Sequence, residues 1–301
     1  MNKLLPIVLA GCMAAGSMSS VTAQDFSSVE IRTTEVADGV YAMEGAGGNL
    51  GLVVGDDGAF LIDDQYAPLT EKIEAAIAAI TDQPIKVVFN THWHGDHTGG
   101  NENLAEGGSL VVAHDNVRKR MSTGQFMAFF EREIPPAPDG ALPVVTFNNR
   151  VSFHLGGHTV NAIHVSNAHT DGDAIVHIKE ADVIHAGDVV FYGLYPFIDY
   201  SSGGSLSGMI AATDRVLALA GADTAVIAGH GGPVIDRTQL QGYRDMLSTV
   251  YERLKARIDE GKSLEQVQAA AITEEFDADW GQGFINPQRW VELNYKGLTA
   301  D

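Results

Sequence analysis

The sequence predicts an α/β fold, with a parallel or mixed sheet that presents polar residues at one edge. Three observations carry this. Short apolar runs of strand length recur along the chain. Between them lie segments whose apolar residues repeat at helical spacing. Several of the apolar runs end in a histidine or an aspartate, as the strands of open α/β sheets do where a ligand binds at one end of the sheet. The chain has 301 residues, enough for one large α/β domain or two small ones, and its 45% hydrophobic content suffices for a full core.

The N-terminus reads as an export signal. Lys3 supplies a positive start, residues 4–15 are apolar and uncharged, and Val21-Thr22-Ala23 places small residues before Gln24-Asp25. The stretch is too short for a lasting membrane span. Residues 1–23 are therefore expected to be a signal peptide, with a soluble mature chain in the periplasm or outside the cell. Leu9-Ala10-Gly11-Cys12 offers a competing reading, a lipoprotein signal cleaved before Cys12, which would tie the chain to a membrane by a lipid. Cys12 is the only cysteine, so a chain cut after Ala23 has no disulfide and no thiolate ligand.

Residues 40–43, 50–54 and 59–62 read as three short strands around glycine-rich turns. Leu69, Ile73, Ile77 and Ile80 form the apolar stripe of a packed helix. Ile85-Lys86-Val87-Val88-Phe89 reads as a buried strand, and residues 110–113 as another. Phe126, Met127, Phe129 and Phe130 predict a short core helix, followed by a proline-rich loop; covering a pocket is the alternative role. Residues 144–165 alternate like antiparallel strands, with Asn148-Asn149 as their turn. Leu206, Ile210, Thr213 and Leu217 mark a helix. A longer one runs through Leu240, Tyr243, Leu247, Val250, Leu254 and Ile258 and stops at Gly261. Ser263 and Gln266 fit a capping box. With no repeat and no convincing linker, residues 24–301 read as one domain with a helical C-terminal tail from about residue 238.

One stretch carries the chemistry: Thr91-His92-Trp93-His94-Gly95-Asp96-His97-Thr98-Gly99-Gly100-Asn101. Residues two apart on an extended backbone point the same way, so His92 and His94 can aim at one point, with Asp96 and His97 following in the turn. A lone histidine at a strand end is usually a hydrogen-bonded structural residue. Three imidazoles and a carboxylate within six residues are not explained that way. Imidazole with one hard carboxylate suits zinc better than calcium or magnesium.

Further donors follow other apolar runs. Ile62 leads to Asp63, Val165 to His169-Thr170-Asp171-Gly172-Asp173, Ile184 to Gly187-Asp188, and Ile227 to Gly229-His230-Gly231-Gly232. If these strands share a sheet, all these places meet at one edge. His92, His94, Asp96, His97, His169, Asp188 and His230 are too many for one tetrahedral zinc and suit two. Two ions about 3.5–4 Å apart can share a water, lower its pKa toward ~7 and polarise a carbonyl.

As an ordered set, His-Trp-His-Gly-Asp-His, Ala168-His169-Thr170, Gly187-Asp188 and Gly229-His230-Gly231 resemble the motifs of the metallo-β-lactamase superfamily over residues 36–235. The resemblance implies a four-layer αβ/βα sandwich with the site at its upper edge. It implies two zinc ions, with iron and manganese left open. His92, His94 and His169 would hold the first, and Asp96, His97 and His230 the second. Asp188 would bridge them, and Asp63 would support the site from behind. A hydroxide shared by the ions would attack a carbonyl, with Asp96 as proton acceptor and water orienter. The six other histidines, at positions 114, 154, 158, 164, 177 and 185, match no motif and are expected to be structural.

The resemblance leaves the reaction open. The main zinc β-lactamase subclass carries cysteine where this chain has Asp188, and usually a lysine three residues later, where Phe191 stands. Asp188 resembles glyoxalase II and other superfamily hydrolases, although glyoxalase II is normally cytosolic and has a longer helical C-terminal domain with basic substrate-binding residues. The segment Phe191-Tyr192-Gly193-Leu194-Tyr195-Pro196-Phe197-Ile198-Asp199 resembles exported metallo-β-lactamase-fold hydrolases, and its aromatics either line a pocket or pack in the core. The expected function is a dinuclear zinc hydrolase acting on a cyclic amide, ester or thioester of a small molecule. A β-lactam is the best single named substrate. The alternatives are a glyoxalase II-like thioesterase or lactonase, and a mono-iron oxidoreductase of the persulfide dioxygenase type. The net charge of −20 argues against nucleic acid and anionic membrane surfaces as partners.

Overall fold

The computed structural model describes residues 25–300. The expected signal peptide and Cys12 lie outside the described residues. Strands β1 (Arg32–Ala37), β2 (Val40–Glu44), β3 (Leu50–Gly55), β4 (Gly58–Ile62), β5 (Ile85–Asn90) and β6 (Leu110–His114) come first. A small hairpin of β7 (Gln125–Met127) and β8 (Arg132–Ile134) follows, then β9 (Val145–Phe147). The later strands are β10 (Arg150–Leu155), β11 (His158–His164), β12 (Ala174–Ile178), β13 (Val183–His185), β14 (Phe191–Tyr192), β15 (Ala225–Ile227), β16 (His230–Gly231) and β17 (Val234–Ile235). Two large sheets result, in the orders β1-β2-β3-β4-β5-β6-β9 and β10-β11-β12-β13-β15-β17. The central pairs β4–β5, β5–β6 and β13–β15 are parallel, and the flanking hairpins are antiparallel.

Helices cover the outer faces. They are α1 (Thr70–Ala78), α2 (Gly95–Thr98), α3 (Asn101–Glu106), α4 (Asp115–Met121), α5 (Leu206–Leu219), α6 (Arg237–Asp259), α7 (Leu264–Ala269), α8 (Asp277–Trp280) and α9 (Pro287–Thr299). The alternation in β4 explains the layering. Phe60 and Ile62 face the second sheet and pack with Phe89, Val160 and Val176, while Ala59 and Leu61 face outward and pack with Ile73 and Ile77 of α1. On the other side, α5 and α6 bury Met209, Val216, Leu240, Tyr243, Leu247 and Val250 against Ile184 and Val226. The order is helix, sheet, sheet, helix, the αβ/βα sandwich expected of the fold class. No described helix is long and apolar enough to cross a membrane.

Three expectations are revised. The strands that end in donors do not share a sheet: β4 and β5 belong to one, β13 and β15 to the other, and their C-terminal ends converge across the sandwich. Asn148-Asn149 is not a hairpin turn. It carries the chain from β9 in the first sheet to β10 in the second, and the hairpin turn comes at Gly156-Gly157, both in the left-handed region. Residues 125–130 form strand β7 and a short 3₁₀ turn rather than a core helix. Phe126 and Phe130 are 55% and 46% exposed, while Met127 and Phe129 pack against the core from this hairpin.

The C-terminal helices enter the same core. Trp290 of α9 is fully buried, stacks on Tyr195 with ring centroids 4.4 Å apart, and donates its indole N–H to the Pro196 carbonyl at 2.8 Å. The capping boxes at Asp236 with Gln239 and at Ser263 with Gln266 start α6 and α7.

Candidate metal centre

All seven expected donors meet at the converging strand ends. After β5 the chain bends through residues 91–93, His94 is extended, and the single-turn helix α2 then carries Asp96 and His97. His169 comes from the loop between β11 and β12, Asp188 from a 3₁₀ turn after β13, and His230 from β16. His92, His94, His169 and Asp188 each place one donor atom within 4.8 Å of the others, and so do Asp96, His97 and His230. Asp188 joins the groups. One carboxylate oxygen lies 3.3 Å from His169 Nε2 and 3.3 Å from His230 Nε2, and the other lies 3.2 Å from His97 Nε2.

A carboxylate and a hydrogen bond orient each half. His97 Nδ1 donates to Asp63 Oδ2 at 2.8 Å, leaving Nε2 for the centre. Asp63 also receives the backbone N–H and the hydroxyl of Thr91, both at 2.7 Å, and sits at φ +62°, a left-handed conformation that costs a non-glycine residue energy. Asp63 therefore supports the site from behind, as expected. His94 Nε2 pairs with Asp199 Oδ2 at 3.1 Å, which turns Nδ1 inward. His169 Nδ1 donates to the Phe197 carbonyl at 2.8 Å.

Asp199 was not anticipated. It follows Ile198 with no spacing signal, and only the fold brings it to a histidine 105 residues away. Gly48 was not anticipated either. A Cβ there would overlap the His97 ring, and one at Gly229 would overlap Asp188. Asn49 then ties the two sheets together, with its backbone N–H on the Gly229 carbonyl at 2.7 Å and its side-chain amide on Ala228 at 2.9 Å.

The charge balance suits a cation. Burial opposes charge on Asp188, but His230, His97, His92 and His169 outweigh it and hold the carboxyl well below the usual range. Burial likewise opposes charge on Asp96, and His97 and His230 outweigh it, so this carboxyl too is held down. Burial pulls His92 well below its ordinary value and His169 down to about 4, the neutral form that a metal ligand needs. His230 is pushed up to about 9, because Asp188 and Asp96 outweigh its burial.

The donor chemistry fits metal on independent grounds. His92 Nε2 and Asp188 Oδ1 are buried without a hydrogen-bond partner, and buried polar atoms are normally satisfied. His94 Nδ1 and His169 Nε2 face each other at 2.8 Å, although both nitrogens are the ring atoms left over after their outward hydrogen bonds. Inward nitrogens and carboxylate oxygens around one point are the arrangement a borderline-soft dication takes. His92, His94, His169 and Asp188 would hold one ion, and Asp96, His97, His230 and Asp188 the second.

The six other histidines stay out of both donor groups. His185 is buried on the Asn49 carbonyl at 3.1 Å, and His114 stacks flat on His164 at 3.8 Å. The centre opens into a cleft of about 870 Å³. Its walls include Trp93, Met127, Phe130, Ile134, Phe191 and Phe197. The aromatics after Asp188 thus divide: Phe191 and Phe197 line the cleft, and Tyr195 packs in the core.

Sandwich and donor set together define a class, proteins of the metallo-β-lactamase type that carry a candidate metal centre at the edge of the sandwich. The family model described as the metallo-beta-lactamase superfamily matches residues 44–248, and the chain belongs to that superfamily. Among curated relatives, it is 33% identical over 105 residues to a hydroxyacylglutathione hydrolase of Erythrobacter litoralis, covering 35% of this chain and 34% of that one. It is 27% identical over 186 residues to a hydroxyacylglutathione hydrolase of Brucella anthropi, covering 58% of this chain and 61% of that one. The chain thus spans less than two thirds of the length of these relatives. Among solved structures, a metallo-beta-lactamase from Pontibacter korlensis aligns with a TM-score of 0.58 at 22% identity, over 73% of this chain and 99% of that one. A stereoselective inverting sec-alkylsulfatase from Pseudomonas sp. aligns with a TM-score of 0.66 at 18% identity, over 88% of this chain and 50% of that one. At these identities the structural likeness concerns the fold.

Proposed function

We propose that this superfamily hydrolase is a dinuclear zinc enzyme, exported through residues 1–23, that hydrolyses the carbonyl of a cyclic amide, ester or thioester in a small molecule. The observation that carries the reading is the convergence of seven donors, two of them buried atoms without hydrogen-bond partners, at the base of the cleft. Bound there, two zinc ions would bring a water's pKa toward ~7 and polarise a carbonyl.

The chain's own residues do the rest. Asp63 and Asp199 hold His97 and His94 in one orientation, so the centre is preorganised before substrate arrives. Asp96 is ionised and 24% exposed at the cleft, and it accepts a hydrogen bond from the attacking water and orients it. Phe191, Phe197 and Trp93 provide apolar walls that exclude bulk water beside the reacting carbonyl.

Among substrates, a β-lactam is the cyclic-amide candidate. A thioester or ester is favoured by two observations: Asp188 in place of a cysteine, and relatives named as hydroxyacylglutathione hydrolases. A panel of β-lactams, lactones and thioesters on zinc-loaded protein, with metal content measured alongside, tests the proposal. Two zinc ions per chain and turnover of at least one class are expected. Protein without stoichiometric metal, or an Asp96→Ala/His97→Ala variant with full activity, overturns it. One iron with oxygen uptake would move the reading to the persulfide dioxygenase type.

A further inference from the structure

Fifteen residues line the cleft, and Arg132 is the only lysine or arginine among them. It opens β8 of the hairpin and is exposed. It forms no salt bridge and no side-chain hydrogen bond among the described residues. Among the other exposed arginines, Arg244, Arg253 and Arg257 pair with carboxylates, whereas Arg150 and Arg215, like Arg132, form no salt bridge among the described residues, but neither of those two lines the cleft. In a chain with 39 acidic and 19 basic side chains, what sets Arg132 apart is its place: it is the one cationic side chain of fixed charge on the cleft wall. Its near surroundings are apolar: Met127, Phe130, Ile134 and Phe284 share the cleft wall.

The hairpin that carries Arg132 is tethered. The Arg289 guanidinium of α9 lies 4.2 Å over the Phe129 ring and donates to the Phe129 carbonyl at 3.3 Å. Phe129 and Phe130 each pack on Phe197 at 5.2 Å, and Phe197 stacks on His94 at 5.8 Å. Arg132 is thus presented to the cleft on a segment whose aromatic neighbours continue to the metal centre. Tyr66 lines the same cleft; burial chiefly raises its phenol, Asp96 adds to that and Arg132 opposes it.

We infer that Arg132 is a specificity-determining residue that receives an anionic group, such as a carboxylate, on a largely apolar substrate whose scissile carbonyl lies at the donor cluster. This rests on the hydrolase reading above. The guanidinium offers a planar fork that fits a carboxylate, and its apolar surroundings strengthen the pairing relative to open water. The chain's overall negative charge would otherwise repel such a substrate, so a local cation is what admits it.

The test compares two chromogenic thioesters that differ only in a remote group, a free carboxylate or the neutral carboxamide. Wild-type zinc-loaded enzyme is expected to prefer the carboxylate. In Arg132→Ala the ratio of kcat/KM values, carboxylate over carboxamide, should fall by about tenfold or more, chiefly through KM. Arg132→Lys should recover part of it and Arg132→Glu should invert it. A ratio that stays put in Arg132→Ala, or an equal loss on both substrates, overturns the inference.

A binding arm separates it from the hydrolase reading. Phenylacetate and phenylacetamide are titrated into the same zinc-loaded proteins by calorimetry. Loss of the phenylacetate preference in Arg132→Ala supports the anion site even if neither thioester is turned over. An unchanged preference overturns it whatever the turnover.

Discussion

At the scale of residues, the site is a set of side chains whose freedom has been removed by their neighbours. Gly48 shows how narrow the tolerance is. Because a Cβ at this position overlaps the His97 ring, Gly48→Ala should push His97 off the centre and weaken the second metal by about 10- to 100-fold. With two ions expected in the wild type, metal analysis should then find one, and a variant retaining two ions with full activity would refute this account. Asp173 gives a pH signature outside the donor set. It is buried, accepts hydrogen bonds from the Thr170 N–H and hydroxyl, and burial pushes its carboxyl up to about 7. The folded state therefore holds a proton that the unfolded state releases at its ordinary value near 3.8. The stabilising contribution is complete below that value and is lost as pH rises to about 7. The stability of wild type relative to Asp173→Asn should fall across that window and stay level above it, as urea unfolding at several pH values would show. A flat difference would mean that Asp173 is ionised throughout.

The donors were legible because metal chemistry demands particular residue types at the ends of apolar runs. Asp63, His92, His94, Asp96, His97, His169, Asp188 and His230 all carry that mark in the sequence. Asp199, Gly48 and Arg132 do not. Each matters through what it touches, and those contacts span tens of residues or more.

Among elements, strands and helices with a clean period are where they were expected, and the departures have physical reasons. Residues 125–130 carry enough aromatic surface to read as core, yet Met127 and Phe130 line the cleft and Phe126 is exposed. Apolar content does not distinguish a core from a substrate surface. The chain does turn at Asn148-Asn149, but it leaves one sheet for the other there rather than forming a hairpin, and local sequence does not say which sheet receives the next strand. The C-terminal helices, read as a tail, close the cleft from behind. Trp290 of α9 packs on Tyr195 and holds the Pro196 carbonyl, next to the Phe197 carbonyl that orients His169. Trp290→Ala should cost about 3–5 kcal/mol in chemical denaturation and lower metal occupancy as well. A loss under about 1 kcal/mol would show that α9 is peripheral to the core.

For the whole molecule, the two sheets meet only if their shared edge can tolerate a dense group of carboxylates and imidazoles. Asp63, Asp96, Asp188 and Asp199 all lie there, buried or nearly so. Ions bound at that edge would tie β4 and β5 of one sheet to β13 and β16 on the other side. Stripping zinc with a chelator should therefore lower Tm, and adding zinc at about 100 times its Kd should restore about 2.7 kcal/mol. Equal melting of stripped and reloaded protein would show that the halves need no ion to hold together.

By itself the sequence determined the α/β class and marked the side chains that meet in the candidate metal centre, because periodicity and residue type are properties of short segments. Tertiary structure alone decided that the donor strands divide between two sheets, that Asp199 and Gly48 fix the ligand rings, and that a hairpin brings Arg132 to the cleft. Those are relations between segments distant in the chain, set by packing across the sandwich, and no local pattern encodes them.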